Sequence, residues 1–291
     1  MNVKKTNPPT SVEEVLFYYQ ITPTYLIKMP SHWTEKIFIE DPDLFKTIIE
    51  ARFEKTPEEI NGLVEILDEY GVPKDGLILD LACGIGRISV PLAKKGYKVV
   101  GVDISSSYIQ RAIEYAEAEN VSGKTRFIVG DMREVATVLA EYADGFDAIM
   151  NMWTSMGYWD EETDLSILKQ SLTLTKPTGF FIMHTASRDG IVKRFQPRDF
   201  LIGEDGLVML MERELDLETS RMINYWTYYR QDGEDLRFLN RMEINHRVYT
   251  LHELKEQFQE TGWIYIGVYG GFDQRPFTKD TFSMIIVAQR R

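Results

Sequence analysis

Leu77-Ile78-Leu79-Asp80-Leu81-Ala82-Cys83-Gly84-Ile85-Gly86-Arg87 is the stretch whose reading decides the fold. Leu77, Ile78, Leu79 and Leu81 form a short apolar run, as expected of a parallel strand buried on both faces. Gly84 and Gly86 remove two Cβ atoms where the chain must turn sharply, which lets a ligand approach the backbone. A helix expected over Ile88 to Lys95 presents its free N–H groups to that ligand, and Gly96 is placed to cap its C-terminus. Lys98 to Asp103 reads as a second strand with an acid at its carboxyl end. An acid there can accept hydrogen bonds from both hydroxyls of a ribose. Gly86 and Asp103 are 17 residues apart, room for one helix and one strand. The arrangement cradles a nucleotide-like cofactor.

Two residues choose among such cofactors. The dinucleotide fingerprint is G-x-G-x-x-G/A, but the residue three after Gly86 is Ser89. Asp80 precedes the turn, where a carboxylate repels a pyrophosphate and attracts a cationic amino group. S-adenosylmethionine (SAM) carries an ammonium and a ribose and no phosphate. It fits where NAD does not, which disfavours a NAD-dependent oxidoreductase.

Asp80 to Gly86 resembles the first motif of class I SAM-dependent methyltransferases, and Val102-Asp103-Ile104-Ser105 resembles that family's ribose-binding acid. Phe127 to Met132 resembles its third strand, whose acid meets the adenine amino group. Phe146 to Trp153 resembles its fourth strand, whose end reaches the methyl donor. Lys176 to Met183 resembles the step into its fifth strand. The likeness spans Gly76 to Ser187, with a weaker tail from Tyr249 to Arg290. It implies an α/β fold built on a Rossmann-like sheet, mostly parallel with an antiparallel last strand. It also implies SAM as cofactor and S-adenosylhomocysteine (SAH) as product. The cofactor-binding residues it implies are Asp80, Ala82, Cys83, Gly84, Gly86, Asp103, Ile104, Asp131, Met132 and Asn151. Asn151-Met152-Trp153-Thr154 departs from the Asn/Asp-Pro-Pro-aromatic run of enzymes that methylate base amino groups.

The 291 residues are 44% hydrophobic and 27% charged, ordinary for a soluble globular protein. No apolar run approaches the roughly 20 residues that span a bilayer. Met1 to Thr6 does not lead into a signal-type apolar core, so a cytoplasmic location is expected. The single cysteine, Cys83, excludes an intramolecular disulfide and reads as a small hydrophobe in the turn. No metal site is expected. A net charge of −12 weighs against a nucleic-acid substrate, because phosphate contact needs a basic footprint. Arg188, Lys193, Arg194 and Arg198 are flanked by acids and read as a mixed surface loop.

Four segments follow. Residues 1–75 are an N-terminal helical cap. Ser11 and Glu14 form a capping-box pattern, Tyr18 to Tyr25 is aromatic-rich, and Thr56-Pro57 opens a helix carrying Ile60, Leu63, Val64, Leu67 and Tyr70 on one face. Residues 76–187 are the α/β core. Residues 188–248 break the rhythm with three strand-like runs, Leu207–Leu217, Met222–Arg230 and Leu236–Tyr249. Asp232-Gly233 is a hairpin signal. This inserted antiparallel meander can serve as a lid, as a homodimer interface, or as both. At the level of pattern it resembles the insertion of sugar-amine and glycine-type N-methyltransferases. Residues 249–291 complete the core with a helix over Leu251–Glu260 and strands over Trp263–Tyr269 and Ser283–Gln289.

Methyl transfer from a sulfonium is an in-line displacement. The protein must align the partners, exclude water and, for some nucleophiles, take a proton. No triad is required. Tyr18, Tyr25, Trp153, Tyr158 and His184 are the substrate-binding candidates, and Trp153, Tyr158 and Trp159 can line an apolar or cation-accepting pocket. His184 is read as lying just past the fifth strand, where α/β folds bind ligands. His184 and Tyr19 are the candidate catalytic groups. His32, His246 and His252 look less favourable. The expected function is methyl transfer to N or O of a small molecule. The alternatives are a protein or RNA methyltransferase working with a partner, or a SAM-binding module without turnover.

Overall fold

Alternating apolar strands and amphipathic helices assemble here into a layered α/β core. The computed structural model describes residues 32–203 and 206–291. Tyr18, Tyr19, Tyr25 and the helix expected after Ser11 lie outside them. The described chain opens with a helical turn, α1 (Trp33–Glu35), that continues as a π-helix over Lys36–Glu40, followed by α2 (Pro42–Glu50) and α3 (Thr56–Glu69). In α3 a proline in the first turn starts the helix, and Ile60, Leu63, Ile66 and Leu67 form the buried stripe. The core is β1 (Leu77–Leu81), α4 (Ser89–Lys95), β2 (Lys98–Asp103), α5 (Ser106–Ala118), β3 (Thr125–Val129), α6 (Val135–Val138), β4 (Phe146–Asn151), α7 (Glu161–Leu174) and β5 (Thr175–Ala186). Then come α8 (Arg188–Lys193), β6 (Arg198–Ile202), β7 (Leu207–Asp216), β8 (Arg221–Asp232) and β9 (Asp235–Arg247). The chain closes with α9 (Leu251–Glu260), β10 (Trp263–Tyr269) and β11 (Ser283–Arg290).

The main sheet has seven strands in the order β10-β11-β5-β4-β1-β2-β3. β1 to β5 pair in parallel, and β11 runs antiparallel to both β5 and β10, as the resemblance implies. Strand order reverses between β1 and β4, and ligands bind outside such a switch point. The register aligns the functional positions. Val102, Leu81, Asn151 and Met183 are paired in one row across β2, β1, β4 and β5. One residue further along, Asp103, Ala82, Met152 and His184 share the carboxyl edge. Thr250 and Glu253 close a reciprocal capping box at α9; such a cap stabilises a helix by about 1 kcal/mol.

The structure differs from the sequence expectation in two places. The inserted sheet has four strands, β6-β7-β8-β9, all antiparallel. The stretch read as a basic surface loop is α8 followed by edge strand β6. Five residues with charges at the strand entry carry too little alternation to show a strand. His184 lies within β5 rather than past it, because pairing with Ile285 of β11 prolongs that strand. The inner face of the four-stranded sheet carries Leu207, Met209, Met211, Trp226, Tyr228, Met242 and Ile244, which pack against Ile37, Phe38, Leu44, Phe45 and Ile48. Among the described residues no helix is long and apolar enough to cross a membrane.

Candidate active site

Three residues of the turn after β1 adopt left-handed backbone: Ala82 at φ 62°, Gly84 at 56° and Gly86 at 78°. The two glycines answer different needs. A Cβ on Gly84 would meet only Ile49 Cδ1, at 3.9 Å, so glycine is required there by conformation and leaves the backbone open to the cavity. A Cβ on Gly86 would lie 3.1 Å from Ala112 Cβ. Gly86 therefore lets the turn sit close against α5, and it does not line the cavity.

Asp103 ties the turn to β2. Its Oδ2 accepts from Gly84 N at 2.8 Å and its Oδ1 from Ser105 N at 2.9 Å. Burial pushes its carboxyl up to about 6, against the pull of those two N–H groups. Asp80 is buried beneath the turn, and its Oδ2 accepts from Ser89 Oγ at 2.5 Å. Burial also lifts it to about 6; the Ser89 bond and Arg87 draw it down and Asp103 raises it. Ser89, the residue that breaks the dinucleotide fingerprint, is thus the partner of the acid that a pyrophosphate site would not tolerate. Cys83 is buried and its thiol is pushed well up by burial, in keeping with a packing role.

Ile104, Asp131 and Met132 line the same cavity beyond β2 and β3. Asp131 caps the turn after β3. Its Oδ1 accepts from Arg133 N at 2.8 Å and its Oδ2 from Arg133 Nε at 2.9 Å. Asn151 is fully buried and donates from Nδ2 to Leu81 O at 3.2 Å, while its Oδ1 has no partner among the described residues.

Past β4 the backbone is strained again. Trp153 and Thr154 have φ of 65° and 62°, and left-handed non-glycine residues cost roughly 1–3 kcal/mol each. The fold holds them in place: Thr154 N donates to His184 O at 3.0 Å and Ala186 N to Thr154 Oγ1 at 3.3 Å. The Trp153 ring stands edge-on to His184, centroids 4.8 Å apart, and Phe272 lies 4.9 Å from His184. The guanidinium carbon of Arg52 is 3.9 Å from the Trp153 ring centroid and that of Arg87 is 5.0 Å away. Burial, with Arg52 and Arg87 nearby, holds His184 down at about 3, so its imidazole is neutral. A group that weakly basic suits hydrogen bonding better than proton uptake. Tyr158 packs on Trp33 and Phe38, and burial lifts its hydroxyl to about 12.

These groups surround one cavity of about 1250 Å³. That exceeds the ~300–1,000 Å³ of a single-ligand site, so a cofactor and an acceptor can be held together. Its floor is the carboxyl edge of the main sheet, and its roof includes Met209, Met211, Met222, Trp226 and His246 of the inserted sheet. The open Gly84 backbone and the two acids with raised pKa suit a ligand with hydroxyls and a cationic amine, whereas Asn151 is fully buried and does not line the cavity. Among the described residues no cluster of His, Cys, Asp or Glu can hold a metal ion.

The sequence reading missed the polar group flanking Trp153. Arg87 donates from Nη1 to Glu59 Oε2 at 2.6 Å and to Thr56 Oγ1 at 2.9 Å, and all three residues are buried. One signal was available. Glu59 lies four residues before Leu63, on the apolar stripe of its helix, and a buried charge demands a partner. The roof residues had no such signal, because large side chains occur on both faces of β8.

The methyltransferase domain family matches residues 78–179. A putative methyltransferase of Bacillus subtilis (strain 168), YqeM, is 27% identical over 199 residues, covering 67% of this chain and 76% of its own. A SAM-dependent methyltransferase from Clostridium acetobutylicum ATCC 824 has a similar structure, with a TM-score of 0.70 at 18% identity, over 86% of this chain and 98% of its own. So has the sugar N-methyltransferase KedS8 from Streptoalloteichus sp ATCC 53650, with a TM-score of 0.63 at 16% identity, over 85% and 92% of the two chains. With the Asp80-to-Gly86 turn, an acid at the end of β2 and an antiparallel β11, the methyltransferase-domain match over residues 78–179 and these similar proteins are consistent with a class I SAM-dependent methyltransferase.

Proposed function

We propose that this enzyme transfers the methyl group of SAM to a nitrogen or oxygen of a small-molecule acceptor. The observation that carries the reading is the chamber between the carboxyl edge of β4 and β5 and the inner face of β7 to β9. Its acceptor half is walled by Trp153, Tyr158, Trp226 and methionines. A half-open, largely apolar space suits a small molecule better than a polyanion, and the net charge of −12 points the same way. The fold shared with a sugar N-methyltransferase is compatible with this reading.

In this proposal Asp103 receives the ribose hydroxyls and Asp80 the cofactor ammonium. Ile104, Asp131 and Met132 border the adenine. SAM, when bound, supplies the electrophilic methyl group. The chain's own residues orient the acceptor and exclude water, with neutral His184 holding it by hydrogen bonding. A screen for SAH release against amines, phenols, amino sugars and RNA tests the proposal. Turnover is expected with a small amine or hydroxyl compound and not with RNA. Methylation of RNA alone, or SAM binding with no turnover on any acceptor, would refute it.

The outer face of the inserted sheet supports a homodimer. Phe200, Ile202 and Phe238 are 65%, 61% and 57% exposed on it, and contiguous apolar patches of this kind mark association sites. Sedimentation is expected to show a dimer that Phe200→Glu with Phe238→Glu converts to monomer. A monomeric parent protein would end that idea.

A further inference from the structure

Charge is unevenly placed around the chamber. Among the described residues, every carboxylate that lines it comes from α3, the ends of β1 and β2, the turn after β3 or the loop after β10. Residues 152–159, β5 and β7 to β9, which wall the acceptor half, contribute none. Arg213, the cation that β7 adds, is already 3.2 Å from Asp199. Guanidinium groups also lie over both indoles of the β4–α7 segment, Arg52 over Trp153 at 3.9 Å and Arg133 over Trp159 at 4.9 Å. A cationic acceptor brought to this wall would meet no carboxylate, and at each indole a like charge. An uncompensated charge in such a setting is costly.

The roof is flat, apolar and adaptable instead. Trp226 stacks on Phe45, with ring planes 13° apart and centroids 5.7 Å apart, and Met211 is its partner across β7. Met209 and Met222 line the same roof, and thioethers mould themselves to aromatic rings. Its polar groups are uncharged. Trp226 Nε1 and His246 Nδ1 are buried with no hydrogen-bond partner among the described residues, and burial, with Arg221 nearby, holds His246 down at about 4.

We propose that the acceptor is an uncharged aromatic molecule, a phenol or an aromatic amine, bound against Trp226 and the roof methionines. The lone pair of its oxygen or nitrogen forms the bond to the methyl carbon as the carbon–sulfur bond breaks. SAH leaves, and the O–H or N–H proton is released to water. Aliphatic amines and amino sugars, protonated near neutral pH, are excluded by their charge. The inference rests on the small-molecule reading and narrows it to one class.

SAH release by the full chain is measured with phenol, aniline, cyclohexylamine and glucosamine. Aniline and cyclohexylamine share a ring size and differ in aromaticity and charge. At least one aromatic compound is expected to exceed both cations in kcat/KM by about 100-fold, and the better of the two aromatics assigns oxygen or nitrogen. Trp226→Leu is expected to raise the KM of that compound about 10-fold and to leave SAH affinity unchanged by calorimetry. Turnover of cyclohexylamine or glucosamine equal to that of the aromatics overturns the inference and leaves the small-molecule reading standing. So does an unchanged KM in Trp226→Leu. No turnover of any of the four by protein that binds SAM refutes the small-molecule reading, and the inference with it.

Discussion

Replacing Asp103 by Ala is expected to weaken SAH binding by on the order of a hundred- to ten-thousand-fold. In the proposed role the carboxylate accepts from two ribose hydroxyls, and hydrogen bonds to a charged group contribute about 1.5–3 kcal/mol each. The substitution also frees the N–H groups of Gly84 and Ser105, which Asp103 holds at 2.8 and 2.9 Å. Asp103→Asn keeps the shape and one acceptor oxygen and should fall between the two. Calorimetry reads the effect, and an affinity within threefold of the parent would refute the ribose role. The pH dependence has a definite sign. Asp103 and Asp80 both sit at about 6 through burial. Ribose hydroxyls and an ammonium favour the ionised forms, so affinity should be full above pH 7 and decline as pH falls through 6. Folding of the free protein follows the opposite slope. Between about pH 4 and 6 the folded state holds more protons than the unfolded one, so the stability contributed by these two acids falls as pH rises through that window.

Glu59→Ala is expected to destabilise the fold by about 3–5 kcal/mol, the cost of leaving a buried charge without its partner. Glu59 and Arg87 are 5% and 4% exposed, and their 2.6 Å contact joins α3 to the turn after Gly86. Thr56 holds the same Nη1 and cannot neutralise it. Glu59→Gln retains an acceptor and should lose less. Replacing both residues by Met should cost less than Glu59→Ala alone, because no orphan charge remains. Urea unfolding measures all three. A loss below about 1 kcal/mol in Glu59→Ala would show that the Arg87 charge is satisfied another way.

The core was legible because its signals are local. β1, β2 and β10 begin and end where the apolar runs and turn residues place them. Gly96 caps the helix it was expected to cap. Gly86 shows the limit of such reading. Its glycine requirement is visible in sequence, but the reason, the nearness of Ala112, is a contact between the turn and helix α5. The fourth strand of the inserted sheet escaped notice because an edge strand of five residues makes its pattern with partners distant in the chain. His246 and Trp226 reach the cavity only because β8 and β9 turn one face inward.

The sequence by itself determined the frame of the proposed donor side. Asp80, the glycine turn, Ser89 and Asp103 fall within 24 consecutive residues, and strand–turn–helix geometry brings them together whatever the rest of the chain does. Only the tertiary structure decided what lines the proposed acceptor side. Arg52, Trp153, His184, Trp226 and Phe272 come from segments far apart in sequence, and long-range packing of the inserted sheet and the N-terminal helices onto the carboxyl edge sets them around one chamber. Side-chain periodicity states which face of an element is buried, not which other element buries it. The charge balance around Trp153 belongs to that second kind of information.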